Sequence, residues 1–470
     1  ENLPPTWEKT GNLNTFYQTG GQYDARTLLQ SDYVKLAFSG LGAGNIETLA
    51  KSFREAVVSK QFSVGMGVAQ DQANFYTDGS YDGVKHEDII IRKKDGSIWQ
   101  FGLLPGLPYV LPTTGWNDYI ADLCIKALDA GAIDVSLEEI GVFGDTGYEQ
   151  AFRDEWKAYY GTDWSDKLWD DPNLYFMGQH LRNYLSTRQI EQVFTKVKEA
   201  HPDGKCVLTN HTSMAYYGFS NACGNHDMAM LDVVDEIEGQ TWSNTIETPF
   251  MYNGQTKAYP FVNGFFDYSY WTNLGKQTGK PVAFITDPKG DGFDVTGRTL
   301  EECKALYQHQ IVSQTAFSSI YKNNVVVWPD RSYSWGFDGT PVATDAYRTI
   351  MNNIVSTQTG LYRYQEPVTT ENQDLKVGCL VLDTACYQAG GPDGGASPND
   401  QYDMFAGLMF NGLMVEAIPF GTNESKTDIF KDYDMLIASY DTMKPINDLC
   451  NQKLKAYMEN GGTVLFYGGK

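Results

Sequence analysis

Ile133-Asp134-Val135-Ser136-Leu137-Glu138-Glu139-Ile140 is the stretch on which the fold turns. A period of two puts Ile133, Val135 and Leu137 on one face of a strand and Asp134, Ser136 and Glu138 on the other. The apolar face needs helices to cover it, while three polar groups in a row need an interior where they are hydrogen-bonded or used. A strand of a closed parallel barrel meets both needs, because its outer face packs on helices and its inner face fills the lumen. Glu138, the last of the polar set, then stands at the carboxyl-terminal mouth, and Glu139 takes its place if the register slips by one. A solvated strand end with two exposed carboxylates is the competing structural reading.

A second stretch, Leu231-Asp232-Val233-Val234-Asp235-Glu236-Ile237-Glu238-Gly239-Gln240-Thr241-Trp242, has the same character. Leu231, Val233 and Ile237 form its apolar phase, so Asp232, Glu236 and Glu238 are expected to point inward, with Glu238 nearest the mouth. In the competing reading Asp235 and Glu236 neutralise a nearby Lys or Arg, and only Glu238 matters. Around these two stretches, from about 32 to 357, short apolar runs alternate with amphipathic helical segments, the signature of βα units on a parallel sheet. Eight strands are predicted, at 33–39, 62–69, within 99–104, 132–138, 205–210, 231–238, 281–287 and 324–328. Helices are predicted at 46–58, 116–130, 148–160, 181–200 and 300–319, and a hairpin turning at Lys93-Lys94-Asp95-Gly96. Segments that follow strands are long and rich in Tyr, Trp, Asn and Gly; those that precede strands are short. That asymmetry fits a barrel whose active site lies on the loops after its strands.

Near 361–373 charge rises and periodicity lapses. Beyond lie strands at 376–383, 414–419, 433–438 and 463–467 with helices at 402–411 and 445–459. The expected architecture is therefore a (β/α)8 TIM barrel over 1–360 followed by a flavodoxin-like (amidotransferase-like) α/β domain over 374–470. An amidotransferase nucleophile would sit on a tight elbow after such a strand, where this chain has Tyr467-Gly468-Gly469, so no catalysis is expected from the second domain.

The composition bounds the chemistry. Against 36 Lys and Arg stand 59 Asp and Glu, a formal net charge of -23, which excludes a phosphate backbone or an anionic membrane as an electrostatic partner. No run is long and apolar enough to span a bilayer. Thirty Tyr and 10 Trp, many in Gly-, Asn- and Asp-rich segments, suit a sugar-binding surface, since pyranose faces stack on rings. Cys124, Cys206, Cys223, Cys303, Cys379, Cys386 and Cys450 form no C-x-x-C pair, and a single disulfide involving Cys223 stays open. Because numbering starts at Glu1, a removed signal peptide and a secreted or periplasmic location are expected. The last residues stop just after a strand, so a longer natural chain is expected.

Two strands ending in glutamate above a polar interior supply what acetal hydrolysis requires: one carboxyl to protonate the leaving oxygen, another to attack the anomeric carbon or activate water. Glu138, with Glu139 in reserve, is the expected general acid/base and Glu238 the expected nucleophile or base; Glu236 and Asp287 are alternative second carboxylates. Asn210, His211, Trp242, Asp287, Trp328 and Asp330, all at strand ends or just past them, are the expected substrate contacts. The loop Asp287-Pro288-Lys289-Gly290-Asp291-Gly292-Phe293-Asp294 is rich in oxygen ligands but irregularly spaced, so neither a metal nor a cofactor is expected. The sequence holds no phosphate cradle, H-E-x-x-H or G-x-S-x-G motif. A barrel with the nucleophile on strand four and the acid on strand six, and a non-catalytic glycan-binding protein, are the rival readings.

Leu137-Glu138-Glu139-Ile140-Gly141 and the Gly147-Tyr148 to Asp163-Trp164 segment after it, together with the second α/β domain, resemble the family 42 β-galactosidases of the large barrel clan A of glycoside hydrolases. The resemblance implies that the acid/base ends strand four, on Glu138 or Glu139, and that the nucleophile ends strand seven, where this chain has Asp287. The chain departs from the family there, in ending strand seven with Asp287, and again where the Asn that precedes the acid/base is replaced by Leu137 or Glu138. An oligosaccharide or polysaccharide substrate and a homo-oligomer, trimer or dimer, are further implications.

Overall fold

The computed structural model describes residues 16–19, 33–36, 45–56, 61–67, 71–100, 106–138, 140–141, 144–210, 225–241, 246–247, 249–286, 298–317, 325–327, 344–347, 349–350, 353–354, 375–388, 398–441 and 443–468. Eight strands close into a barrel: β1 (Phe16–Thr19), β2 (Tyr33–Leu36), β3 (Gln61–Gly67), β4 (Asp134–Glu138), β5 (Lys205–Asn210), β6 (Glu236–Thr241), β9 (Val282–Thr286) and β10 (Val325–Val327). Every neighbouring pair in the ring is parallel, with β1 joining β10 to β2. A hairpin of β7 (Pro249–Tyr252) and β8 (Gln255–Ala258) follows β6, turned at Asn253 and Gly254, both at positive φ.

The expected alternation holds along the strands. Phe62, Val64 and Met66, Val135 and Leu137, Cys206 and Leu208, Ile237, and Val282 and Phe284 all belong to the buried apolar core, the outer phase of their strands. The complementary phase lines the lumen described below. Helices α1 (Ile46–Ala56), α2 (Asp71–Thr77), α3 (Thr114–Asp129), α4 (Gln150–Tyr160), α5 (Pro172–Ala200), α6 (Asn225–Ala229), α7 (Pro260–Thr278) and α8 (Leu300–Thr315) accompany the barrel. Local chemistry sets their ends. Asp171 caps the first turn of α5 with Pro172 at its start, Thr299 and Glu302 form a reciprocal capping box on α8, and Gly161 and Gly279 end α4 and α7 in the left-handed region.

Three expected strands are corrected. The first barrel strand is Phe16–Thr19, so the strand at 33 is the second and that at 61 the third. The segment around Trp99 is not a barrel strand: it bridges antiparallel partners, Arg92 with Ile98 and Gln100 with Pro108, and Trp99 N donates to Ile91 O. It belongs to a small ladder between β3 and α3, and no antiparallel member fits an all-parallel barrel. The sixth strand begins at Glu236, not Leu231. Residues 231–234 make a turn closed by Val234 N to Leu231 O, and Asp232 is exposed and paired with Lys426, not directed into the lumen.

The second sheet has four parallel strands, β11 (Val377–Leu382), β12 (Val415–Phe420), β13 (Met435–Ala438) and β14 (Thr463–Phe466), in the order β12-β11-β13-β14. With α9 (Ala385–Gln388), α10 (Pro398–Phe410) and α11 (Leu449–Glu459) this is the doubly wound, flavodoxin-like order. Helix α7 serves both sheets. Its Trp271 ring lies on Gly239 of β6, while Asn273 Nδ2 donates to Ala417 O (2.7 Å), Gln277 Nε2 to Pro419 O (2.7 Å), and Phe266 stacks on Phe405 at 3.8 Å. Among the described residues no helix is long and apolar enough to cross a membrane.

Candidate active site

The lumen is lined by the inward phase of the strands, polar on β2, β4 and β6, partly apolar on β5 and apolar on β9. Strand β2 brings Lys35; β3 brings Ser63 and Gly65; β4 brings Asp134, Ser136 and Glu138; β5 brings Lys205, Val207 and Thr209; β6 brings Glu236, Glu238 and Gln240; β9 brings Ala283 and Ile285. Apart from Lys205, all of these are buried.

The ladder register relates the two candidate glutamates. Leu137 pairs with Leu208 and Thr209 with Glu238, so Glu138 and Glu238 flank Thr209 in one row across β4, β5 and β6. Two strand steps of about 4.8 Å separate their backbones. The strands of a barrel are tilted, however, so residues in one row lie at different heights. Glu138 is the last residue of β4, whereas Glu238 is third of the six in β6, with Gln240 one inward step nearer the carboxyl end. The expectation that Glu238 stands nearest the mouth is thereby corrected; that place on β6 belongs to Gln240.

Glu138 is fully buried, and its carboxylate lies over Gly65: a β-carbon there would sit 1.9 Å from Oε1. Glu238 receives Lys35 Nζ at 2.5 Å and Thr209 Oγ1 at 2.7 Å, both on Oε2. Burial alone would depress the Lys35 ammonium. The charges of Glu238, Glu138 and Asp134, with the hydrogen bond to Glu238, outweigh it and hold the pKa above the ordinary lysine value. Below, at the amino-terminal end, Lys205 pairs with Glu236, and its pKa is likewise raised by Glu236 and Asp134 against the effect of burial. Asp134 is pushed up to about 7 by burial, with Glu238 and Glu236 adding to the effect and Lys35 and Lys205 opposing it. Asp235 accepts from Lys198 and from Cys206 N (2.7 Å). Asp235 and Glu236 are thus lysine partners, the alternative considered from sequence.

Asn210 closes β5, buried, and donates to the Asn225 side chain on α6. Glu139, His211, Trp242, Asp287, Trp328 and Asp330 lie outside the described residues, as does the acidic loop at 287–294. Cys124, Cys206, Cys303, Cys379 and Cys450 are buried. Lys35 was not singled out from sequence, although the signal was present: in Tyr33-Val34-Lys35-Leu36 the rule that selects Glu138 places Lys35 opposite the apolar Val34 and Leu36.

Outside the barrel, His226, Asp227 and Asp383 bring ligand-type atoms within 4.8 Å of one another. Their oxygens are already engaged. Asp383 accepts the backbone N–H groups of His226 and Asp227, and Asp227 accepts those of Thr422 and Asn423 with the Thr422 hydroxyl. This is a seam between the barrel and the second sheet.

No protein-family description matches the sequence, and no curated protein matches it. Solved structures do. A β-galactosidase from the haloarchaeon Halorubrum lacusprofundi superposes with a TM-score of 0.64 at 12% identity, over 97% of this chain and 72% of that one. A catalytic mutant of a GH42 β-galactosidase from G. stearothermophilus gives 0.62 at 10% identity, over 97% and 71%. An α-L-fucosidase from Paenibacillus thiaminolyticus gives 0.56 at 11% identity, over 97% and 64%. At such identities the likeness speaks to the fold alone, a (β/α)8 barrel with a following α/β domain, which this chain shares with these β-galactosidase structures.

Proposed function

We propose that this chain hydrolyses glycosidic bonds of an oligosaccharide or polysaccharide, with Glu138 as general acid/base and Glu238 as nucleophile or base. The observation that carries the proposal is the pair itself: two buried carboxylates flanking Thr209 in one row inside a closed barrel. The shared architecture with β-galactosidases and a fucosidase supports the same reading. A carboxylate oriented by an ammonium and a hydroxyl, both donating to it, suits attack or base catalysis and not proton donation. The Lys35 contact therefore favours this order of roles over the reverse, with the nucleophile on β4. With Oε2 engaged by Lys35 and Thr209, Oε1 is the oxygen that would act.

A panel of aryl glycosides identifies the sugar. On the best of them, Glu138→Gln and Glu238→Gln should each lower kcat by about 10²- to 10⁴-fold while the fold is kept. Azide should rescue the variant that lost the nucleophile, and NMR of the first-formed anomer separates retention from inversion. Near-normal turnover in both variants would refute the assignment. Glycan binding with no release of reducing ends by the wild type would support the non-catalytic alternative.

A further inference from the structure

Lys35 has no packing reason to be a lysine. It is 0% exposed, and an apolar side chain of similar length would fill the same space without the cost of stripping water from an ammonium. Its Nζ is 2.5 Å from Glu238 Oε2, the oxygen that also accepts from Thr209 Oγ1, and its charge acts further on Glu138 and Asp134 of β4.

We propose that Lys35 is a positioning residue for glycoside cleavage: with Thr209 it clamps Oε2 of Glu238, holding that carboxylate in one orientation in the lumen it shares with Glu138. The proposal rests on the glycosidase reading of those two glutamates. It divides the work in the lumen between two ion pairs. Lys205 and Glu236 neutralise each other at the amino-terminal end, where Lys205 reaches partial exposure, and the Lys35–Glu238 pair lies closer to the mouth.

The described side chains that face this pair come from five strands. Strand β4 brings Asp134 and Glu138, β5 brings Lys205 and Thr209, and β6 brings Glu236 and Gln240. Strands β3 and β9 bring Ser63, Gly65, Ala283 and Ile285, none of them charged. With the ammonium removed, the described lumen keeps four carboxyl groups against Lys205 alone. Burial already pushes Asp134 up to about 7 against the opposing charge of Lys35, and without that charge its pKa must rise further.

Three proteins test this: the wild type, Lys35→Gln, which keeps a hydrogen-bond donor without the charge, and Lys35→Arg, which restores the charge. For each, the pH dependence of kcat/KM on an aryl glycoside is measured alongside the unfolding midpoint from pH 5 to 8. In Lys35→Gln the acid limb of the rate profile should move up by about one pH unit or more, and in Lys35→Arg it should return toward the wild-type position. Independently of activity, the midpoint gap between wild type and Lys35→Gln should widen as pH rises. A carboxyl whose folded pKa has been raised destabilises the fold when it must ionise. Turnover with an unmoved acid limb and a constant gap would overturn the role of Lys35 while leaving the glycosidase reading intact. No turnover by the wild type on any glycoside would overturn that reading, and the positioning role with it, even if the gap widened.

Discussion

At Gly65 the lumen has no room for a side chain. A β-carbon there would stand 1.9 Å from Glu138 Oε1, 2.8 Å from its Cδ and 3.2 Å from Ser136 Oγ. The two nearest of these atoms belong to the end of a flexible side chain, so an alanine would push the carboxylate aside and leave the strand in place. Alanine also relieves the entropic cost of glycine in a strand, worth about 0.5–1 kcal/mol. Gly65→Ala should therefore change stability by no more than about 1 kcal/mol while lowering kcat about 100-fold, the scale of an ångström's misplacement of a reacting group. Paired melting and rate measurements check this, and activity within twofold of wild type would mean that Glu138 does not work from this position. Single residues were partly legible beforehand. The alternation Ile133 to Glu138 gives the buried carboxylate at the end of β4, and the same rule extends to Lys35. What alternation cannot give is the partner across the lumen, because the meeting of Lys35 with Glu238 depends on the tilt of strands β2 and β6.

Elements were legible where their periodicity was clean, and the misses have physical causes. Strand β1 is only four residues, Phe-Tyr-Gln-Thr, too short to show a period. The stretch 231–238 mimics a strand because Leu231 and Val233 fall in phase with Ile237, yet 231–234 is a turn ahead of β6. Helix α7 escaped notice because it is buried nearly all round: a surface helix announces itself by a polar face turned to solvent, and the polar residues of α7 are buried with its apolar ones. Three of its polar side chains, Ser269, Asn273 and Gln277, are spent on the second sheet and its loops. Its opposite side meets β6 so closely that a β-carbon on Gly239 would lie 2.2–2.6 Å from the Trp271 ring. A rigid, fully buried indole cannot swing away as a glutamate can. Gly239→Ala should accordingly cost about 1–3 kcal/mol by overpacking, seen in urea unfolding as a lower midpoint with an unchanged slope. A loss below about 0.5 kcal/mol, the usual range for a surface substitution, would show that α7 does not seat on β6 at this point.

Across the whole molecule, the barrel and the second sheet are joined by α7 and by a seam of ionisable groups whose charge states depend on one another. Asp383, just after β11, accepts the N–H groups of His226 and Asp227 at 3.2 Å each, while Asp227 takes those of Thr422 and Asn423 beyond β12. Burial, with the nearby Asp227 charge, pushes Asp383 up to about 7, whereas an unfolded aspartate titrates near 3.9. The folded protein therefore holds that proton more tightly, and the stability it confers is lost as pH rises from about 4 through 7. His226 acts in the same sense. Burial opposes its charge, but Asp227 and Asp383 raise its pKa overall, so its contribution is present at acid pH and disappears as pH climbs through the folded value. Asp227 is depressed, despite burial, by His226 and by the Thr422 and Asn423 donors, and its contribution fails only at the acid end. Between pH 5 and 8 the seam should loosen as pH rises. Asp383→Asn removes one titrating group while leaving one acceptor for the two N–H donors. The variant should melt below the wild type at pH 5 and approach it by pH 8, giving a shallower midpoint-against-pH line. Asp134, which titrates about as high inside the barrel, is untouched by the substitution, so the difference between the two lines reports on the seam alone. Parallel lines would mean that Asp383 is ionised throughout that range and that the contact between barrel and second sheet does not respond to pH.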